Sequence, residues 1–495
     1  MTSNTLSPLS IKMNNDYELE LNSWIKQEKA AIELIGIIGT LWFDKSIELI
    51  LFHNQMTDKS SSELLNLHLY AKNTVKQPIT ILDTLNVARE IQKMDIAPSR
   101  IDIGKLSAEW IQEKTNYNNE VAKFTTDKLR DFIGKDKRVL IPKDVVLYGF
   151  GRIGRLAARE LTAQAGKGEQ LRLKAIVTRS YSKEDLIKRA DLLRTDSVHG
   201  PFPGTIVEDF ENQALIINGH MVKMIASDKP DGIDYISLGI NDALLIDNTG
   251  AARDRDGLSK HFASQGITKV LLTAPGKGDI PNVVFGVNHE SLDIKNEKIF
   301  SAASCTTNGI IPALKVVEEK LLIKNGHIET IHSYTNDQNL LDNYHKKYRR
   351  GRSAPLNMVI TETGASNAAV KVIPSLKGKL TANSVRVPTP NVSLAILHLE
   401  VVKKTTKDGI NEIMRNAALH SELVEQIQFS NSNELVSTDV IGNPCPCVFD
   451  SQATIVSEDG AHIVLYVWYD NEFGYTKQVF RLAKHLAEVI RLRYY

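Results

Sequence analysis

The chain has 495 residues, 42% of them apolar, with 60 Lys and Arg against 59 Asp and Glu. That length allows two to four domains, and a net charge of +1 gives no bulk electrostatic support for binding nucleic acid or a membrane surface. Three cysteines exclude a disulfide framework and suit a reducing compartment; the first fifteen residues lack the basic and apolar regions of a secretory signal, and the apolar run at 35–43 is short and glycine-interrupted, so a cytoplasmic protein is expected.

Residues 1–140 read as mostly helical and carry no chemical motif. Helix-type apolar spacing runs over 18–52, interrupted by Gly36 and Gly39, and returns at 62–72 and 83–94. Pro78 and Pro98 punctuate it, and 102–120 is either another helix or a linker. The charged run Lys135-Asp136-Lys137-Arg138, after Gly134, marks a boundary. This segment is expected to be a packing or oligomerisation module, with a regulatory site as the alternative.

The character changes at Val145. Val145-Val146-Leu147-Tyr148 is a compact strand followed by Gly149-Phe150-Gly151-Arg152-Ile153-Gly154 and then helical spacing through Ala163. Strand, G-x-G-x-x-G and helix in that order form a dinucleotide fingerprint. The first glycine makes the tight turn, the second lets the backbone approach a pyrophosphate, and the third lets helix and strand pack closely. The helix N-terminus then faces the phosphates. A second strand, 171–177, ends in Val177-Thr178-Arg179-Ser180, where an NAD site places an acid for the ribose diol. Arg179, with Thr178 or Ser180 as hydroxyl donors, suits a 2′-phosphate instead, so NADP acceptance is favoured; the bland alternative is an exposed arginine that tolerates either cofactor. Further strands at 221–226, 243–247, 270–273 and 283–287, with a helical stretch at 253–265, argue for a largely parallel sheet covered on both faces.

Residues 298–303 read as a short buried strand and 310–319 as a helix with Pro312 in its first turn, which puts Cys305 at a strand-to-helix junction. The free N–H groups and dipole of that helix end should depress the thiol pKa, making Cys305 a candidate nucleophile with His332 as its base. Later strands at 327–333, 384–388, 393–403 and 462–468 suggest a mixed or antiparallel sheet in a second domain, and a helix at 475–491 is expected to fold back over the first.

Five motifs in order carry a family resemblance: the glycine loop 149–155, Ser304-Cys305-Thr306-Thr307-Asn308, His332 with Thr335-Asn336-Asp337, Arg386-Val387-Pro388-Thr389-Pro390, and Trp468 through Tyr475. Over residues 143–495 the chain resembles phosphorylating glyceraldehyde-3-phosphate dehydrogenase, in a long form with an N-terminal extension. The resemblance implies an α/β protein: a Rossmann-type domain over 141–304, completed by a C-terminal helix 475–495, and an α+β catalytic domain over 305–474, preceded by the helical segment 1–140. It implies Cys305 attack on the aldehyde, proton handling by His332, hydride transfer to NAD or NADP, and phosphate attack on a cysteine thioester. Implied cofactor contacts are Gly149, Gly151, Arg152, Ile153, Gly154, Arg179, Thr273 and Asn471, with Tyr475 nearby. Thr335, Asp337, Arg350 and Arg386 are implied on the substrate-phosphate side, and Ser304, Thr306, Thr363 and Gly364 on the inorganic-phosphate side. A homotetramer is implied, because the loop between His332 and Thr363 contacts a neighbour in the family.

The chain departs from the family at three points. Ser366-Asn367 stands where a lysine is frequent, Arg179 where an aspartate is usual, and Asp247-Asn248-Thr249-Gly250 replaces Glu-Ser-Thr-Gly. No metal site is expected; Cys445 and Cys447 flank Pro446 without a second pair and read as structural. The expected function is reversible oxidation of glyceraldehyde 3-phosphate in glycolysis or gluconeogenesis, with inorganic phosphate as co-substrate. The alternatives are erythrose-4-phosphate dehydrogenase and a regulatory protein on the same scaffold.

Overall fold

The structure, a computed structural model, describes residues 8–495; the first seven residues of the expected N-terminal segment lie outside that range. The chain divides into two units, one running to Leu140 and taking in Arg491–Tyr495, the other spanning Ile141–Ile490.

The first unit is not purely helical. Helix Pro8–Lys45 ends at Ser46, whose φ of +56° turns the chain into strand Ile47–Leu51. All five residues of that strand are buried, so it shows no polar alternation and reads in sequence like a continuation of the helix. The sheet order is Asn54–Gln55, Ile47–Leu51, Ser99–Asp102, Leu492–Tyr494, with the last two pairings parallel. Helices Ser61–Tyr70 and Ile81–Lys93 start on capping boxes, Ser60 with Glu63 and Thr80 with Asp83. The buried Asp102 carboxylate caps helix Ile103–Glu113 and also accepts from the Phe52 N–H at 2.9 Å, tying two strands to one helix.

In the second unit, six parallel strands run in the order His220–Ala226, Leu171–Thr178, Lys143–Tyr148, Ala243–Asp247, Ile267–Leu272, Ile299–Ser301. That is the doubly wound order with its topological switch beside Lys143–Tyr148, where ligands bind outside the carboxyl ends of the strands. Strands Ala214–Ile217 and Ile206–Asp209 extend one edge antiparallel. The strand expected at 283–287 does not form: the Val284 N–H donates to the Asn288 side chain, and Asn282 bonds back to Gly276 and Ile280. Local side-chain bonds have replaced a ladder there.

A second, mixed sheet runs Val359–Thr361, Leu380–Val387, Ile323–Ser333, Ser393–Val401, His462–Tyr469, Cys447–Asp450, Ile427–Ser430. Helix Cys305–Leu321 packs Ile310, Leu314 and Val317 into the core that this sheet forms with Leu397, Leu465 and Val467. It begins five residues earlier than the apolar spacing suggests, so Pro312 sits in the helix interior rather than the first turn. The last helix, Phe473–Leu486, packs Val479, Phe480 and Ala483 into the first core with Val145, Ala157 and Leu161. It ends before the expected Arg491, and residues 492–494 form a strand in the first unit's sheet. Among the described residues no helix is long and apolar enough to cross a membrane.

Candidate functional site

The glycine loop assigns each glycine a distinct job. Gly149 has φ +96°, and a Cβ there would lie 2.8 Å from Thr249 Cγ2. A Cβ on Gly154 would lie 2.3 Å from the Gly149 carbonyl oxygen, so the third glycine is where helix meets turn. A Cβ on Gly151 would meet nothing within 4 Å. The open space over Gly151, at the start of helix Arg152–Ala163 with no side chain capping its N-terminus, fits a pyrophosphate. A cleft of about 320 Å³ continues from Gly149 and Gly151 past Thr178, Arg179, Arg189, Ser227 and Asp228. These residues suit the adenosine half of a dinucleotide.

A neighbouring cavity of about 590 Å³ is walled by Arg152, Ile153, Thr273, Ser304, Cys305, His332, Thr335, Arg386, Asn471 and Tyr475, among others. Its centre is built at the chain turn between strand Ile299–Ser301 and helix Cys305–Leu321. Ala303 has φ +57°, a strained value for a residue with a Cβ. Three contacts hold it: Ser301 Oγ accepts its N–H at 3.0 Å, Tyr475 donates to its carbonyl at 3.0 Å, and Asn308 Nδ2 donates to the Ala302 carbonyl at 2.8 Å. Ser304 then caps the helix, its hydroxyl accepting the Thr307 N–H at 3.0 Å. Cys305 is therefore the first helical residue, partly exposed to the cavity.

His332 reaches this thiol from strand Ile323–Ser333, with Nε2 3.6 Å from Sγ. Its Nδ1 is 2.7 Å from the Ser333 carbonyl. A carbonyl only accepts, so this shorter contact favours the tautomer with its hydrogen on Nδ1 and the Nε2 lone pair toward the sulfur. Arg386, paired in register with His332 on the adjacent strand, donates to the same carbonyl at 2.9 Å and lies 2.9 Å from Nδ1. Burial, then the Arg386 and Arg350 charges, drive the imidazole to its neutral form, with a pKa pushed down to about 3. The expectation of a depressed thiol pKa is corrected here. Burial is the largest influence on Cys305 and pushes the thiol up, outweighing Arg386 and the N–H groups of Thr306 and Cys305 that favour thiolate. The resting pair is thus a thiol beside a neutral imidazole.

The remaining expected residues separate by place. Asn471 Oδ1 accepts from Ser333 and Ser393 hydroxyls at 2.8 and 3.0 Å, which assigns its NH2 group as the one available to a ligand. Thr273 donates to the Asp247 carbonyl at 3.1 Å on the cavity wall. Arg152 bonds to both Asp196 and Glu472, with His199 3.1 Å from Glu472. Its guanidinium thus braces the glycine loop to the segment carrying Asn471. Arg350 pairs with Asp337 at 2.5 Å, and Asp337 also accepts from Thr335, so this pair adjoins the cavity through Thr335. Arg350 itself lines a separate basic cavity of about 580 Å³ with Lys346, Lys347 and Arg349.

Thr306, Thr363 and Gly364 are not among the residues walling the Cys305 cavity. Thr306 is buried, and its hydroxyl bonds Tyr469 at 3.0 Å. Thr363 accepts the Ala365 N–H at 3.2 Å, and Gly364 starts helix Ala365–Val372. Sequence reasoning missed Asp196, Glu472, the Ala303 turn and Arg189. Glu472 had a signal, since it lies inside the Trp468–Tyr475 motif. Asp196 and Arg189 had none.

Two family models match the chain. "Glyceraldehyde 3-phosphate dehydrogenase, NAD binding domain" matches residues 143–255, and "Glyceraldehyde 3-phosphate dehydrogenase, C-terminal domain" matches residues 304–471. The chain is 48% identical over 461 residues to a glyceraldehyde-3-phosphate dehydrogenase-like protein of Pseudomonas aeruginosa (strain UCBPP-PA14), covering 92% of this chain and 98% of the relative. It is 38% identical over 343 residues to glyceraldehyde-3-phosphate dehydrogenase 2 of Bacillus subtilis, covering 69% of this chain and 96% of that protein. It is 40% identical over 340 residues to the chloroplastic enzyme A of Zea mays, covering 68% and 81%.

Proposed function

Because this chain belongs to the glyceraldehyde-3-phosphate dehydrogenase family and is an NAD(P)-dependent oxidoreductase, we propose that it oxidises glyceraldehyde 3-phosphate to 1,3-bisphosphoglycerate through a thioester on Cys305. One observation carries the reading: a thiol at a helix N-terminus, 3.6 Å from an imidazole whose other nitrogen is held by a carbonyl.

In the proposed reaction Cys305 Sγ attacks the aldehyde carbon as its proton passes to His332 Nε2. His332 returns that proton to the developing alkoxide, giving a thiohemiacetal, and takes it again from the hydroxyl as the carbon is oxidised. NAD or NADP, with Thr273 and Asn471 among the residues that would hold it, would supply the hydride acceptor for that oxidation. Inorganic phosphate then attacks the thioester carbon, releasing the acyl phosphate and the thiolate, which is reprotonated by His332. Arg386 and Thr335 lie where they can hold the substrate's own phosphate, with the Asp337–Arg350 pair behind them. Arg179 on the adenosine cleft supports NADP acceptance. Exposed apolar residues on the loop after His332 (Leu340, Leu341, Tyr344, Tyr348, Leu356 and Met358) support a homotetramer, and the composition supports a cytoplasmic location.

One observation favours the related reading, erythrose-4-phosphate dehydrogenase: Thr306, Thr363 and Gly364, which were assigned to the incoming phosphate, stand off the cavity wall. Steady-state oxidation of both aldehydes, with and without inorganic phosphate, separates the two. A strict phosphate requirement with glyceraldehyde 3-phosphate supports the first reading, and full turnover without phosphate overturns it. Cys305→Ser should abolish both activities.

A further inference from the structure

The adenosine cleft carries two guanidinium groups rather than one. Arg179 ends strand Leu171–Thr178, and Arg189 projects from the following helix, Lys183–Arg194, to line the same cleft. Arg189 is half-buried; its Nε is shielded from solvent and has no hydrogen-bond partner among the described residues. No ion pair or hydrogen bond engages its guanidinium among the described residues, so the group is available to an incoming anion. Among the described residues neither arginine pairs with Asp228, the one acid lining this cleft.

The hydroxyls that the sequence offered as phosphate donors are already engaged. Ser180 donates to Asp185 at 2.8 Å, and Thr178 donates to the Ser180 carbonyl at 2.9 Å. Binding an anion here therefore falls to the two guanidiniums. A ribose 2′,3′-diol is neutral and offers them nothing to neutralise, whereas a phosphate monoester carries nearly two charges and oxygens that suit planar N–H forks.

We propose that Arg189 is the second arm of a 2′-phosphate clamp whose first arm is Arg179, so that the cleft selects an adenosine bearing a 2′-phosphate monoester. The inference rests on the NADP reading of Arg179 and adds a specificity-determining residue to it. Asp228 lines the same cleft with a charge of the same sign as a phosphate, so its removal should tighten binding of a 2′-phosphate and leave a 2′-hydroxyl ligand unaffected.

Calorimetric titration of the full-length protein with adenosine 2′,5′-bisphosphate and with 5′-AMP tests it without turnover. Wild type should bind the bisphosphate at least about tenfold more tightly, the value of one charge-assisted contact. Arg189→Met should erase most of that ratio while leaving 5′-AMP binding within about twofold, and Arg189→Lys should restore part of it. No preference in wild type would overturn the NADP reading and the clamp with it. A wild-type preference that Arg179→Met removes and Arg189→Met retains would leave the NADP reading standing and overturn the clamp. Equal weakening of both probes by Arg189→Met would assign Arg189 to folding and equally overturn it.

Discussion

His332 sets a measurable pH dependence on stability. In the folded protein its pKa is pushed down to about 3, by burial first and then by Arg386 and Arg350, whereas an unfolded histidine titrates near ~6.5. Between those values the unfolded chain binds a proton that the native chain refuses. Stability contributed by neutral His332 is therefore fully present above about pH 6.5 and is lost as pH falls toward about 3. At pH 5 the unfolded imidazole is protonated and the folded one is not, which costs about 2 kcal/mol relative to pH 7. The raised Cys305 thiol does not interfere, because it titrates on the alkaline side. His332→Gln keeps the volume and removes the titration. The measurement is urea unfolding of wild type and His332→Gln at pH 7 and pH 5, in which carboxylate effects common to both cancel. Wild type should lose about 2 kcal/mol more than the variant, roughly 0.5 M or less in midpoint for a chain of this size. Equal losses would mean that the imidazole accepts a proton inside the folded site before pH 5, and the neutral-base description would be wrong.

Other expectations concern the same cavity. Arg386 is the leading influence favouring the Cys305 thiolate against burial, so Arg386→Met should slow iodoacetamide labelling of Cys305 at pH 7.5, with unchanged or faster labelling excluding that role. Gly154→Ala drives a Cβ to 2.3 Å from a backbone oxygen and should destabilise by about 1–3 kcal/mol; Gly151→Ala, with open space above it, should melt like wild type yet lose dinucleotide binding. A melt difference for Gly151→Ala would instead make that glycine structural. Arg152→Met leaves the half- to fully buried carboxylates of Asp196 and Glu472 without their cation and should cost about 3 kcal/mol, a few degrees in Tm by calorimetry. A variant melting within a degree of wild type would show the brace to be dispensable.

The chemistry-bearing parts of this molecule were legible because local chemistry dictates them. A strand running straight into Gly149-x-Gly151-x-x-Gly154 has few conformations open to it, and the structure gives Gly149 and Gly154 a steric reason each and leaves the space over Gly151 open. The alternation of strands and helices from Val145 specified a parallel sheet, since both faces must be covered. Signals failed where a segment's fate depends on distant partners. Ile47–Leu51 is buried on both faces, Glu48 included, and matches a helix equally well until its neighbouring strands are known. Residues 492–494 leave the last helix for a sheet whose other strands come from the first unit.

Within the site, the one-dimensional chain determined which groups are present: a cysteine before a helix, a histidine on a strand, arginines and hydroxyls for oxyanions. Only the tertiary structure decided what those groups are doing. It turned Thr306 toward Tyr469, committed Arg152 to two carboxylates, put Arg189 and Arg179 on the lining of one cleft, and desolvated Cys305 so that its thiol pKa moved up rather than down. Helix ends and turns follow from nearby residues, whereas burial and charge pairing are sums over atoms far apart in the chain, and those sums exist only once it has folded.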